Sequence, residues 1–165
     1  MTVVAGLITK PGWCYMAADS AVSNDSLYTL MAEPKVMNFY DEALVGYAGD
    51  VRQGRQVFRF LMDVAGSKVA AFERKWTKDL YGDVTLLFIE QGRIYEFDEG
   101  AVIPVASLND GATYSAIGTG APTALGSLYA DHADLQSVTT AIQASIAHVP
   151  GIYGPPLVVN CPPFD

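Results

Sequence analysis

Met1-Thr2-Val3-Val4-Ala5-Gly6-Leu7-Ile8 opens the chain, and its reading decides the fold. From Val3 onward the run is apolar and rich in β-branched residues, the pattern of a strand buried on both faces. A Thr sits directly behind the initiator Met, with no charged lead before it. If Met1 is removed, Thr2 carries a nucleophilic hydroxyl and a free α-amine on one residue, held at the end of a rigid strand. An α-amine has an ordinary pKa of about 7.7–8.0, so it can take up a proton near neutral pH. A Thr hydroxyl activated by its own N-terminal amine is one form of covalent catalysis. Met-Thr is also a common start for chains without such chemistry, so the rest of the sequence has to discriminate.

Working outward, Lys10-Pro11-Gly12 is a turn signal, and residues 13–18 return as a second strand. Asp19-Ser20 ends that strand, and the polar stretch 20–33 reads as a loop or short hairpin. Residues 35–40 and 43–48 form two more strands across an Asp41-Glu42 turn. Then the period changes. Gly54, Val57, Phe58, Leu61, Met62 and Ala65 recur at the three- and four-residue steps of one helix face, and Asp50 stands at the cap position. Gly66-Ser67 separates a second helix that runs to about Trp76. Strands at 85–89 and 93–97 flank Glu90-Gln91-Gly92, and further strands fit 101–106 and 113–118. Pro122 suits the first turn of a third helix, whose apolar face is Leu125, Leu128 and Tyr129. Asp134 or Ser137 can cap a fourth, with Val138, Ala141, Ile142, Ile146 and Val149 inward and the small Ser145 interrupting them. Leu157-Val158-Val159 is a last short strand. Strands and helices come in separate runs, which indicates α+β rather than alternating βαβ. The expected architecture is two packed sheets between helical layers, in a single domain spanning 1–165.

A length of 165 residues suits one domain with a sizeable core. With 50% hydrophobic and 17% charged residues, the chain belongs among globular proteins rather than disordered ones. A net charge of −8 argues against nucleic acid and against anionic membrane surfaces as partners. Cys14 and Cys161 are too few for a disulfide framework and read as buried small residues. His132 and His148 share no ligand spacing with them, so no metal site is expected. There is no apolar run of membrane-spanning length and no secretory lead, which makes the cytoplasm the default location.

Four residues outside the first strand could carry chemistry with Thr2. Asp19 ends the second strand and Lys35 begins the third; alone, each is an ordinary turn or edge residue. In a hairpin-rich sheet both fall at strand ends that could lie close to Thr2. A Lys there would lower the effective pKa of the hydroxyl and depress that of the amine, and an Asp beside it would keep it charged and oriented. Gly49 lies between a strand and a helix, where its backbone N–H is available as an oxyanion donor. Thr119, between Gly118 and Gly120, could be a helix cap or a supporting hydroxyl. Residues 118–123 also resemble half of a dinucleotide-binding fingerprint, but the sixth position is Thr, and fewer than fifty residues follow.

Taken in order, these stretches resemble the proteasome β-subunit family, and most of all its bacterial heat-shock peptidase branch (HslV-type). The matching segments are Thr-Val-Val at 2–4, Ala-Ala-Asp-Ser at 17–20, Lys-Val at 35–36, Val-Gly-Tyr-Ala-Gly at 45–49 and Ala-Ile-Gly-Thr-Gly-Ala-Pro at 116–122. The resemblance spans nearly the whole chain. It implies a four-layered αββα N-terminal-nucleophile hydrolase that assembles into stacked rings. It also implies a threonine-type endopeptidase acting on peptides or unfolded proteins, without cofactor or metal. Thr2 would be the nucleophile and its amine the base, Lys35 would tune both, Asp19 would orient Lys35, and Gly49 would supply the oxyanion hole. Thr119 stands where the family often has Ser. Ser23 would lie on a strand that pairs with substrate backbone, and Val22, Met37 and Tyr47 would line the primary specificity pocket. An ATP-dependent unfoldase partner is implied by the family alone. Two other readings stay open: a catalytically silent, proteasome-like assembly protein that retains Met1, and a related amide hydrolase acting on a small molecule.

Overall fold

The computed structural model describes residues 1–24, 27–31, 33–76 and 83–164. In chain order the elements are β1 (Val3–Ile8), β2 (Cys14–Ala18), β3 (Ala21–Asn24), β4 (Leu27–Leu30), β5 (Val36–Phe39), β6 (Ala43–Gly49), α1 (Val51–Met62), α2 (Lys68–Trp76), β7 (Val84–Glu90), β8 (Arg93–Asp98), β9 (Ala101–Pro104), β10 (Thr113–Gly118), α3 (Ala121–Ala130), α4 (Leu135–His148) and β11 (Leu157–Cys161). The polar stretch after Asp19 is a hairpin, β3–β4. The ninth strand stops at Pro104, sooner than the sequence pattern indicates, although Val105 N still donates to Ile94 O at 2.9 Å just beyond it.

Two antiparallel sheets carry the fold. One has the strand order β10-β1-β2-β11, the other β5-β6-β7-β8-β9. β1 lies inside the first sheet, and all six of its residues are buried. Successive side chains point to opposite faces. Val3, Ala5 and Leu7 therefore pack with Ala124, Leu128, Val138 and Ile142 of α3 and α4. Val4 and Ile8 face the second sheet, against Leu44, Leu87 and Ile89. That alternation explains the unbroken apolar run: each face of β1 enters a different core. The far face of the second sheet makes a third core. Val45, Tyr47, Leu86 and Phe88 meet Val57, Phe58, Leu61 and Phe72 from α1 and α2 there.

The helices start where their caps place them. The Asp50 side chain accepts from Gln53 N at 2.8 Å at the head of α1. Asp134 and Ser137 together form a capping box on α4, so both candidate caps take part. At α2 the cap comes from another strand. Glu90, at the end of β7, accepts from Lys68 N at 2.5 Å and Ser67 Oγ at 2.6 Å. Cys14 and Cys161 are both buried free thiols, directly opposite one another on β2 and β11. No helix among the described residues is long and apolar enough to cross a membrane.

Candidate active site

Thr2 lies where several strand ends converge. Antiparallel pairing sets Val3 opposite Gly118 and Val4 opposite Ala18, which brings the ends of β10 and β2 to the start of β1. Asp19, one residue beyond β2, is locked there. Val3 N donates to Asp19 Oδ1 at 2.9 Å, and Asp19 N donates to Val3 O at 3.3 Å. Lys35 directly precedes β5 in the other sheet, where its carbonyl accepts from Tyr47 N at 3.0 Å. Its Nζ reaches across to donate to Asp19 Oδ2 at 2.9 Å, to Thr2 Oγ1 at 3.1 Å and to the Ala21 carbonyl. An ammonium has three protons, and here it meets three acceptors.

The three side chains are withdrawn from water: Thr2 is 7%, Lys35 2% and Asp19 0% exposed. Burial disfavours the charged ammonium and is the larger influence on Lys35. The Asp19 carboxylate pulls the other way, and the net effect holds Lys35 below its ordinary 10.5. A cation that donates to the Thr2 hydroxyl oxygen favours its deprotonated form, and the low local dielectric strengthens that effect.

The Gly118-Thr119-Gly120 turn backs the Thr2 main chain. Gly118 has φ +90°, and a Cβ there would run into the Thr2 carbonyl and sit 3.2 Å from Ala48 Cβ. Gly120 N donates to Thr2 O at 3.3 Å, and Gly120 O accepts from Ser145 Oγ at 3.1 Å. Thr119 is exposed between the two glycines, and its side chain makes no hydrogen bond among the described residues. Ala48 touches this turn, so Gly49, the last residue of β6, lies at the same end of the molecule. Gly49 has φ +95°, and a Cβ there would collide with the Asp83 carbonyl, so the position requires glycine.

The residues expected to meet substrate are more scattered. Met37, half-buried on β5, lines a cavity of about 270 Å³ with Glu33, Pro34, Arg55, Phe58, Arg59 and Met62. Glu33 Oε2 lies 2.7 Å from Arg55 Nε, an ion pair on the cavity rim. Tyr47 is not on that wall. Its ring is 1% exposed and packs edge-on against Phe58 with centroids 5.1 Å apart. Burial pushes its hydroxyl up to about 12. Val22 and Ser23 sit on β3, opposite Thr29 and Tyr28 of β4; Val22 is half-buried. β3 starts at Ala21, whose carbonyl already binds Lys35.

Thr2, Asp19 and Lys35 are thus brought into contact, with Gly49 and Thr119 at adjoining strand ends and Tyr47 set back in the core. The sequence points to Glu33 beside the pocket as a residue that could favour a basic side chain, but it gives no sign of Arg55 as its partner, nor of the Ala21 carbonyl, a backbone group with no residue-type signal. Ser145 did leave one, since it interrupts the apolar face of α4, and it serves the turn behind Thr2. A larger cavity, of about 690 Å³, is lined by Asp41, Glu42, Gly66, Ser67, Glu90, Gln91 and Phe164. It lies at the opposite end of the second sheet, where Ala43 pairs with Glu90 rather than Gly49 with Val84. Among the described residues no group of three His, Cys, Asp or Glu could hold a metal ion.

No protein-family model matches the chain, and no curated protein sequence matches it. Solved structures do match in fold. "Thiobacillus denitrificans BPH in complex with Epoxomicin" superposes with a TM-score of 0.75 at 16% identity, over 97% of this chain and 97% of that one. The eukaryotic HslV of Trypanosoma brucei also superposes with a TM-score of 0.75, at 17% identity over 98% of this chain and 99% of that one. The chain therefore shares the HslV fold over nearly its whole length, in agreement with the resemblance carried by its motifs.

Proposed function

We propose that this chain is a ring-forming threonine peptidase, and that it cleaves peptide bonds through Thr2 once removal of Met1 makes that residue the N-terminus. The observation that carries the reading is the buried Lys35 ammonium bridging Thr2 Oγ1 at 3.1 Å and Asp19 Oδ2 at 2.9 Å. The three core clusters, one between the sheets and one under each helix pair, support a four-layered αββα sandwich of the N-terminal-nucleophile type.

In this mechanism the free α-amine of Thr2 takes the hydroxyl proton, and Oγ1 attacks the carbonyl carbon of the scissile bond. The charge that develops on the carbonyl oxygen takes a hydrogen bond from Gly49 N–H. The amine then returns the proton to the departing nitrogen, leaving an ester on Thr2 that water hydrolyses. Lys35, kept charged by Asp19, holds the hydroxyl oxygen throughout, and Thr119 offers a further hydroxyl at the supporting turn. While Met1 is attached, the Thr2 nitrogen is an amide whose lone pair is delocalised, so it cannot serve as the base. β3, with Val22 and Ser23, would run alongside extended substrate, and the cavity under Met37 would take a side chain, with Tyr47 as its rigid backing.

The chemistry uses no cofactor, and we place it in the cytoplasm. An unfoldase that feeds substrate into the ring would be a separate protein. The test compares the chain that begins at Thr2 with its Thr2→Ala variant on a fluorogenic peptide. Turnover by the first, absent in the second and blocked by epoxomicin, supports the proposal. Equal turnover by both would contradict it. Hydrolysis of small amides alone would favour the small-molecule hydrolase, and an inert processed chain the silent assembly protein.

A further inference from the structure

The charges of this chain are unevenly distributed. Residues 51–78 hold seven of its ten cations and only two of its eighteen acids, a balance of +5. Everything else together carries −13. The described part of the basic segment, residues 51–76, is the α1–α2 pair. Arg52, Arg59, Arg74 and Lys75 are exposed, and none has an ion-pair partner among the described residues. Two adjoining grooves of about 510 and 500 Å³ cross this face and share Gln56 and Arg59. The Arg55–Glu33 ion pair ties the face to the β5 edge of the second sheet.

The opposite edge of the same sheet is β9. Its turn from β8 presents Asp98 and Glu99, both exposed and without an ion-pair partner among the described residues. This turn lies at the same end as Gly49, because Gly49 pairs with Val84, and Leu86 with Phe97. The α1 helix begins at that end too. Each side also shows a large apolar residue to water: Met62 at the end of α1 is 45% exposed, and Ile103 on β9 is 55% exposed.

We propose that the basic α1 face of one copy seats on the acidic β8–β9 turn of a second copy. The contact is heterologous, and head-to-tail contacts of that kind build rings where the rotation closes. The opposed charges fix the register, because the remaining acidic surface of each copy repels its neighbour in other orientations. Burial of Met62 and Ile103 adds the apolar component. This inference names the interface of the ring proposed above, and it rests on that reading only for closure into a ring.

The test uses two variants of the full chain, Arg52→Glu with Arg59→Glu and Asp98→Lys with Glu99→Lys, read by sedimentation and native mass. Circular dichroism and a thermal melt check that each variant folds. Each alone is expected to associate at least roughly tenfold more weakly than the parent, in keeping with the cost of like charges at an interface. Mixed together, the two restore association, because each reversed face then meets a complementary one. Salt at about 1 M should dissociate the parent through screening. Parent-like assembly by either folded variant alone, or failure of the mixture to recover, would overturn the proposal. Peptide turnover by the processed parent is measured separately. Activity with assembly indifferent to these charges removes the interface and leaves the peptidase reading standing. Charge-controlled assembly of an inert chain does the reverse.

Discussion

Lys35 is the residue on which stability and the proposed chemistry converge. Its ammonium is the only cation bound to the Asp19 carboxylate among the described residues, and both groups are almost fully buried. Lys35→Ala would leave a buried carboxylate uncompensated, which typically costs about 3–5 kcal/mol. The same change removes the group that holds Thr2 Oγ1, and in the proposed mechanism the loss of one member of a coupled nucleophile site should lower turnover by roughly a thousandfold or more. A urea melt and a peptide assay on one sample check both effects; an active or fully stable variant would refute the assignment. Because burial holds Lys35 below 10.5, the alkaline limb of its activity profile should also fall below that value. The cavity rim gives a second prediction. Glu33 is neutralised by Arg55 at 2.7 Å, and the walls are Pro34, Met37, Phe58 and Met62. A peptide panel should therefore favour apolar residues before the cleaved bond over Arg or Lys; preference for a basic residue would contradict this. The Thr2, Asp19 and Lys35 cluster was legible because each residue directly flanks a strand, Thr2 and Lys35 before one and Asp19 after one. Tyr47 was not legible as a core residue. Strand alternation reports which face a side chain takes, not how deeply a helix covers it.

At the scale of elements, α1 and the α3 terminus give opposite tests. Gly54 lies on the buried face of α1, and a Cβ there would overlap the Tyr47 ring. An exposed helical Gly→Ala change gains about 1 kcal/mol of helix propensity. Gly54→Ala should instead destabilise by about 1–3 kcal/mol, the usual cost of overpacking. A raised melting temperature would show that α1 is not seated as described. At the end of α3, His132 Nε2 lies 2.8 Å from Asp110 Oδ2, and its Nδ1 lies 2.8 Å from the Leu128 carbonyl. The Asp110 contact first, then that carbonyl, raises the His132 pKa above 6.5, and the same contact lowers that of Asp110 below 3.8. The His132 contribution to stability is therefore complete below pH 6.5 and is lost as pH rises through its folded value. That of Asp110 is lost as pH falls through its own. The melting-temperature gap between the parent and His132→Gln should be widest between those limits and should shrink as pH rises through the folded value of His132. A gap that does not change with pH would show that the pair is not formed. Helix periods and caps were readable here because each is set by a few neighbouring residues. The contact between His132 and Asp110, and the cap that Glu90 lends to α2, join elements distant in sequence and leave no local pattern.

For the whole molecule, fold and activity are separable claims. The two larger sheets and the four helices among the described residues account for how the chain positions Thr2, Asp19 and Lys35. The proposed catalysis requires one covalent change more, the loss of Met1. The Met1 thioether lies against Gly151, which has φ +87° and where an added Cβ would come within 2.6 Å of the sulfur. Removing Met1 clears that ground and converts the Thr2 amide into an amine with a basic lone pair. The most direct measurement is intact mass together with peptide turnover, on the same preparation, for the chain with and without Met1. Turnover should track the fraction of molecules that begin at Thr2. Full turnover with Met1 quantitatively present would contradict the mechanism.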